Sequence, residues 1–352
     1  MNAKEYSAID RFLHKLALGS DIVRRTSLEL ELLTNKYSYN DSSLDSPVYI
    51  LGLARAGTTI LLDALYSTGL FASLTYRNMP FVLAPRLWSR FTARHHKVSN
   101  LAERKHGDSL KVGYDSPEAF EEVFWLTFSK EEYLKSDRLI RYSVDNDILD
   151  IYKKYVSDFL SIKYNRGCRY IAKNNNNILR ISSLLNVFPN GCYIVPFRNP
   201  VAHAESLLRQ QQRFRKLHSQ DEFSLKYMNW LGHFEFGLNF KPICLDDEII
   251  PENENELYSV QYWLLYWTSV YESLLKKHGD DVIFFDFDSF CENPEKSFEV
   301  LASAISIDPN LLYSYKDKIK AANNKKNVNI PYRKTQDVYN KLLTKSLQQR
   351  NR

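Results

Sequence analysis

The stretch Pro47-Val48-Tyr49-Ile50-Leu51-Gly52-Leu53-Ala54-Arg55-Ala56-Gly57-Thr58-Thr59 decides how the rest of the chain is read. Residues 47–51 form a short apolar run of the kind a buried strand requires. Residues 60–65 return to a helical spacing of apolar side chains. Between them, Gly52-x4-Gly57-Thr58-Thr59 nearly spells the phosphate-loop pattern G-x-x-x-x-G-K-[ST], in the strand–loop–helix context that pattern needs. Gly57 permits close backbone approach, and the amides of a first helical turn point at an anion. Thr58 and Thr59 add hydroxyl donors. Thr58 stands where the pattern has lysine, so the loop's cation is Arg55. Such a loop suits a single terminal phosphate with a leaving group near Arg55, rather than a triphosphate. A plain strand–turn–helix with glycines for geometry is the bland alternative.

Outward from this unit, the same alternation recurs. Short apolar runs predict strands at 71–76, 168–173, 192–197 and 282–287. Helical patterns cover 117–128, with Pro117 in the first turn, and 147–164, 178–187, about 201–216, 258–278 and 294–305. Strand followed by helix, repeated at least four times, predicts an α/β chain: a P-loop-like three-layer fold with a mainly parallel central sheet flanked by helices. The division expected is an N-terminal helical segment over 1–46, an α/β domain over 47–312 and a basic C-terminal tail over 313–352. Residues 1–34 carry apolar side chains at amphipathic spacing and read as packing helices, with contact at a membrane surface as the minority reading. The aromatic helix around Trp263 and Trp267 reads as core.

In parallel sheets ligands sit at the carboxyl ends of the strands. Chemistry is therefore expected at 55–59, 76–78, 173–177 and 198–206. The last of these forms a second anion site. Tyr193-Ile194-Val195-Pro196-Phe197 ends at Arg198, and Ser206 follows eight residues later. Arginine offers a planar fork of donors that matches phosphate oxygens. Two such sites fit one ligand with two separate phosphates.

Composition narrows the classes. The chain has 352 residues, 44% hydrophobic and 25% charged, which excludes wholesale disorder. No apolar run approaches the roughly 20 residues of a spanning helix. A net charge of +5 fits an anionic ligand but is weak for nonspecific nucleic-acid binding. Cys168, Cys192, Cys244 and Cys291 form no C-x-x-C pair, which argues against a zinc cluster. They read as thiols of a reducing compartment, the cytoplasm. The N-terminus lacks the apolar core of a secretory signal.

At this point the sequence resembles the sulfotransferases that use 3′-phosphoadenosine 5′-phosphosulfate (PAPS). Residues 48–65 look like their 5′-phosphosulfate loop, in the branch with Arg where the cytosolic enzymes have Lys. Residues 193–208 look like their 3′-phosphate motif, including the Arg-to-Ser spacing. Residues 284–294 resemble their late strand and acidic turn. The resemblance spans about residues 47–300. It implies that Arg55, Ala56, Gly57, Thr58 and Thr59 hold the 5′-phosphosulfate, with Ala56 where a Ser is common. It implies that Arg198 and Ser206 hold the 3′-phosphate. Lys173 matches a strand-end lysine that neutralises the transferring sulfuryl group, and Arg55 a cation near the bridging oxygen. The implied product is adenosine 3′,5′-bisphosphate, with no metal.

The catalytic His of the cytosolic enzymes falls at Asn175, and an amide is no base at neutral pH. Candidates for the base lie within 106–122: His106, Asp115, Glu118, Glu121 and Glu122. A carboxylate is what the Arg-containing branch implies, and Glu118 is preferred, on the expected first turn of the 117–128 helix. Glu at such a place also simply complements the helix dipole. For the acceptor, a hydroxyl or amine, a carbohydrate or glycolipid is expected from the resemblance and from the basic stretch Arg86, Arg90, Arg94, Lys97, Arg104, Lys105 and Lys111. A solvated surface is the alternative reading of that stretch. Tyr76, Arg77 and Asn78 are expected to face the site. Two rivals stand beside the transferase. One is a P-loop kinase or NTPase, for which Asp286 or Asp288 would bind Mg²⁺. The other is an anionic-glycan binding module with a degenerate nucleotide site.

Overall fold

A computed structural model describes residues 8–34, 44, 46–92, 102–103, 111–113, 115–246, 249–319 and 329–350. Arg94, Lys97, Arg104, Lys105 and His106 lie outside them, as do most of residues 38–46 and the tail residues 320–328.

After helices α1 (Ala8–Gly19) and α2 (Asp21–Leu33), the chain enters strand β1 (Val48–Ile50) and helix α3 (Thr58–Tyr66). Strands β2 (Phe71–Ala72), β3 (Arg169–Lys173), β4 (Cys192–Phe197) and β5 (Ile283–Asp286) complete the main sheet. Its order is β2-β3-β1-β4-β5, and every pairing is parallel. Successive residues of a strand point to opposite faces, and each face here is covered. Val48, Ile50, Ile171, Ile194 and Phe285 pack with Leu61, Leu65, Phe298 and Leu301, from α3 and the helix Pro294–Ile305. Tyr49, Tyr170, Tyr193, Val195 and Phe284 pack on the other side with Tyr152, Phe159, Trp263 and Trp267, from the helices Asn146–Ser161 and Val260–His278. Three layers result, as expected, and double burial explains why the strands read as continuous apolar runs.

Differences from the sequence reading are local. The expected strand 71–76 stops at Ala72, and Tyr76–Asn78 forms a 3-10 turn that the Asn78 side chain closes by accepting from Thr75 N at 2.8 Å. The helix expected over 117–128 begins only at Glu122. Pro117 does not open it but makes an antiparallel bridge with Thr75, and Glu118 N donates to the Leu74 carbonyl at 3.0 Å. The run Asn174–Asn177 turns as 3-10 before a helix at Ile181–Val187, because the Asn174 side chain accepts from Asn176 N and competes with α-helical bonding.

The N-terminal helices pack on the body of the protein. Glu31 of α2 is buried and accepts from Arg86 N and Leu87 N. Burial, with Asp158 nearby, pushes its carboxyl up to about 8. Arg86, read as part of a basic stretch, pairs instead with buried Asp158 at 3.2 Å. The C-terminal helix Arg333–Arg350 packs on Val260–His278 and β5. Buried Thr335 meets Thr268 at 2.7 Å there. No helix of the described residues is long and apolar enough to cross a membrane.

Candidate active site

The strand order makes β1 the turning point, since the chain leaves it for β2 and β3 on one side and later adds β4 on the other. Connections diverge there, and a crevice opens at the carboxyl ends of β1 and β4. The loop after β1 enters it through left-handed backbone at Gly52 (φ 109°), Arg55 (φ 72°) and Gly57 (φ 90°). Arg55 is not a glycine, and an L-residue held there stores about 1 kcal/mol or more of strain. Gly57 has a further constraint: a Cβ would lie 2.1 Å from the Phe287 ring. Gly57 also caps α3 without a side-chain hydrogen bond, leaving the first-turn amides open to an anion.

Past β4 the arrangement differs. Asn199 caps helix α4 (Pro200–Gln220) by accepting from Val201 N and Ala202 N. Its amides are thus in use, and the groups left for an anion are side chains. Arg198 has a buried Nε that makes no hydrogen bond, although Asp288 lies 3.5 Å away, and its guanidinium sits over the Phe287 ring. The two loops touch. Arg55 Nε donates to Ser206 Oγ at 3.3 Å, and Arg198 reaches the Arg55 carbonyl at 3.5 Å. Asp286 caps the helix Phe287–Glu292, and Asp288 accepts from Asn199 N at 2.6 Å. Both carboxylates of the kinase rival are therefore engaged, Asp286 in its own helix cap and Asp288 at the loop after β4.

His203 fastens the loops together, a residue the sequence reading did not single out. It is fully buried and hydrogen-bonds the Ala54 carbonyl at 2.8 Å. Burial, helped by nearby Arg198 and Arg55, pushes its imidazole down to about 3, against the bond to Ala54. A group lowered on folding binds its proton more readily when unfolded. Its contribution is thus whole above about pH 6.5 and is lost as pH falls towards about 3. His203→Gln, which keeps a donor but cannot charge, should flatten the pH dependence of unfolding free energy over this window. The expected slope difference is about 1.4 kcal/mol per pH unit, measured by urea titration at a series of pH values.

A cavity of about 1100 Å³, open mouth included, adjoins the β1 loop. Its polar end, formed by the strand ends, takes Arg55, Thr58 and Thr59 from that loop with Lys173 from the end of β3. Glu118 joins them, held by the bridge at Pro117 rather than by a helix; its carboxylate accepts from Ala119 N at 3.0 Å and from the Tyr76 hydroxyl at 3.3 Å. Of the other base candidates, His106 lies outside the described residues, and the three remaining carboxylates are engaged away from this cavity. Buried Glu121 accepts from the hydroxyls of Tyr152 and Tyr170, Glu122 pairs with buried Arg180 at 3.0 Å, and Asp115 pairs with Arg77. Of residues 76–78, Tyr76 alone lines this cavity.

Asn175, Glu235 and His233 complete the polar end. Asn175 donates to Glu235 at 3.0 Å, and Glu235 faces His233 Nδ1 at 3.6 Å. Burial alone would lower the His233 imidazole, but Glu235 outweighs it and the net shift is upward. Burial raises the Glu235 carboxyl, yet His233 and Lys173 carry it down to about 2. The other nitrogen of His233 meets the Ala119 carbonyl at 3.0 Å, so both face acceptors. Sequence reading missed this pair because His-x-Glu in a loop carries no motif. The other part of the lining is mostly apolar and comes from α4 and from helix α5 (Glu222–Leu231).

A parallel three-layer α/β protein with cationic loops meeting at the carboxyl edge of its sheet is the class that fold and site define. The chain belongs to the sulfotransferase family, whose profile matches residues 47–238, and it is a sulfotransferase enzyme by family and fold. Its fold is similar to that of sulfotransferase STF9 from Mycobacterium avium, with a TM-score of 0.53 and 13% identity over 96% of this chain and 86% of that one. Sulfotransferase STF1 from Mycobacterium tuberculosis H37Rv is similar at a TM-score of 0.46 and 10% identity, with coverage of 96% and 86%. No curated protein matches the chain in sequence.

Proposed function

We propose that the donor is PAPS and that the enzyme moves its sulfuryl group to an acceptor hydroxyl in one in-line step. The observation that carries this reading is the contact of Arg55 with Ser206, which joins the two anion loops at a crevice that also receives Lys173 and Glu118. Thr58, Thr59 and the uncapped amides of α3 take the 5′-phosphate, and close backbone approach at Ala56 and Gly57 permits it. Arg198 and Ser206 take the 3′-phosphate. Arg55 and Lys173 stabilise the negative charge that develops as the sulfur–oxygen bond to phosphate breaks. Glu118 accepts the acceptor's proton as the new oxygen–sulfur bond forms. The nucleotide product is adenosine 3′,5′-bisphosphate. Four cysteines outside any disulfide suit a reducing compartment such as the cytoplasm.

The test is thermal unfolding with adenosine 3′,5′-bisphosphate in the absence of Mg²⁺, against ATP with Mg²⁺. At about 100 times its dissociation constant the bisphosphate should add roughly 2.7 kcal/mol to the folded state. Arg198→Ala should remove most of that gain, since a charge-assisted pair is lost. Stabilisation by ATP with Mg²⁺ alone would replace this reading with the kinase one.

A further inference from the structure

The part of the cavity lined by α4 and α5 has a different chemistry from the part lined by the strand ends. Phe214 and Leu217 of α4, Phe223, Met228 and Leu231 of α5, and Phe236 beyond it supply the wall. Ser224 and Tyr227 lie among them; the Ser224 hydroxyl donates to the Asp221 carboxylate at 2.5 Å, and the Tyr227 ring packs edge-on against His14 of α1, so the lining here is mostly, not wholly, hydrocarbon. A sugar entering here would exchange water for hydrocarbon at several hydroxyls, each left without the partners it had. An alkyl chain entering here gains contacts and loses only its hydration.

We infer that the acceptor is a hydroxyl at the end of an elongated apolar body, an alkyl or aryl-alkyl alcohol, and not a polyhydroxylated glycan. The inference rests on the sulfuryl-transfer reading above and names the substrate of that same site. The hydroxyl is directed to Glu118 and Lys173 at the polar end, while the body lies along α4 and α5. Between Ser206 and Leu217, α4 rises about 16 Å, which sets the scale of the body it can cover. The acceptor oxygen gains the sulfuryl group and loses its proton to Glu118; no other reactant is needed.

The experiment uses the full chain with PAPS and a series of n-alkanols from hexanol to dodecanol, with trehalose and glucose as comparison acceptors. Release of adenosine 3′,5′-bisphosphate and the mass of the sulfated product are read together. Each added methylene buried should raise kcat/KM about fourfold, equivalent to about 0.8 kcal/mol, until the cavity is filled. Both sugars should fall at least 100-fold below the best alkanol. Met228→Lys, which sets a charge in the apolar wall, should lower kcat/KM for that alkanol at least 100-fold and leave stabilisation by the bisphosphate in place. No turnover of alkanols, a flat dependence on chain length, or preferred transfer to a sugar overturns the inference, provided the bisphosphate still stabilises the protein. Absence of that stabilisation is instead the failure of the donor reading. Should Met228→Lys not fold, the chain-length series of the native protein decides.

Discussion

Glu118→Gln should lower kcat by 10²–10⁴-fold, the range in which a positioned proton acceptor contributes. The substitution preserves shape. One oxygen remains to accept from Ala119 N or from the Tyr76 hydroxyl, now at 3.0 and 3.3 Å, so the local bridge at Pro117 should persist. What disappears is a negative charge in the cavity that Lys173 also lines, and the capacity to take a proton. Neither is needed to hold a nucleotide, so stabilisation by adenosine 3′,5′-bisphosphate should be unchanged. Steady-state rates with PAPS and an active acceptor, set beside thermal shifts with the bisphosphate, separate the two effects. Full turnover in the variant would remove Glu118 from the mechanism and turn attention to Glu235 and His233, which share the same end of the cavity.

The largest stability effect is expected at Arg180. Its side chain is buried, pairs with Glu122 at 3.0 Å and lies over the rings of Trp125, Tyr133 and Tyr142 at 4.7, 5.1 and 5.4 Å. Nε and one terminal nitrogen have no hydrogen-bond partner, so the ring faces take the place of acceptors. Burial opposes the charge, but Glu122 and the neighbouring tyrosines outweigh it and hold the guanidinium more firmly protonated than usual. Arg180→Met fills much of the space but strands Glu122 without its cation. The expected cost is about 3–5 kcal/mol, measured by urea unfolding. Adding Glu122→Gln should recover part of it, because the uncompensated charge is what costs most. Glu122 also accepts from Asn174 at 2.7 Å, and Asn174 follows Lys173 directly. The single variant should therefore disturb the polar end of the cavity as well.

The regular parts of the fold were legible because period and punctuation agreed in them. Strand Cys192–Phe197 and helix Pro294–Ile305 have the bounds the sequence suggests, each with a proline or a charge where the element changes. The reading failed where a side chain or a distant strand sets the local backbone. Pro117 looks like the first residue of a helix, yet the segment is held by Thr75, forty-two residues earlier. Glu118, expected on a helix's first turn, lines the cavity from this bridged segment instead. Helix Glu222–Leu231 was overlooked although its ends are marked, by Asp221 before it and by Gly232 in left-handed conformation after it. Without that helix the apolar wall has no trace in the sequence reading, and the basic stretch, whose Arg86 pairs with Asp158, is what supports the expectation of a carbohydrate or glycolipid acceptor. His203 escaped because a buried neutral histidine leaves no trace in charge patterning.

The two ends of the cavity are built from parts of different standing. The polar end belongs to the strand ends and their loops, where a change at Gly57 collides with Phe287 and a change at His203 loosens two loops together. The apolar end belongs to α4 and to α5, a helix outside the sheet layers that leans on α1 through rings such as Tyr227 against His14. Substitutions on α5 can therefore accumulate without reaching the groups proposed to bind the donor. Descendants of this chain should diverge first in which molecules they modify and last in what they modify them with.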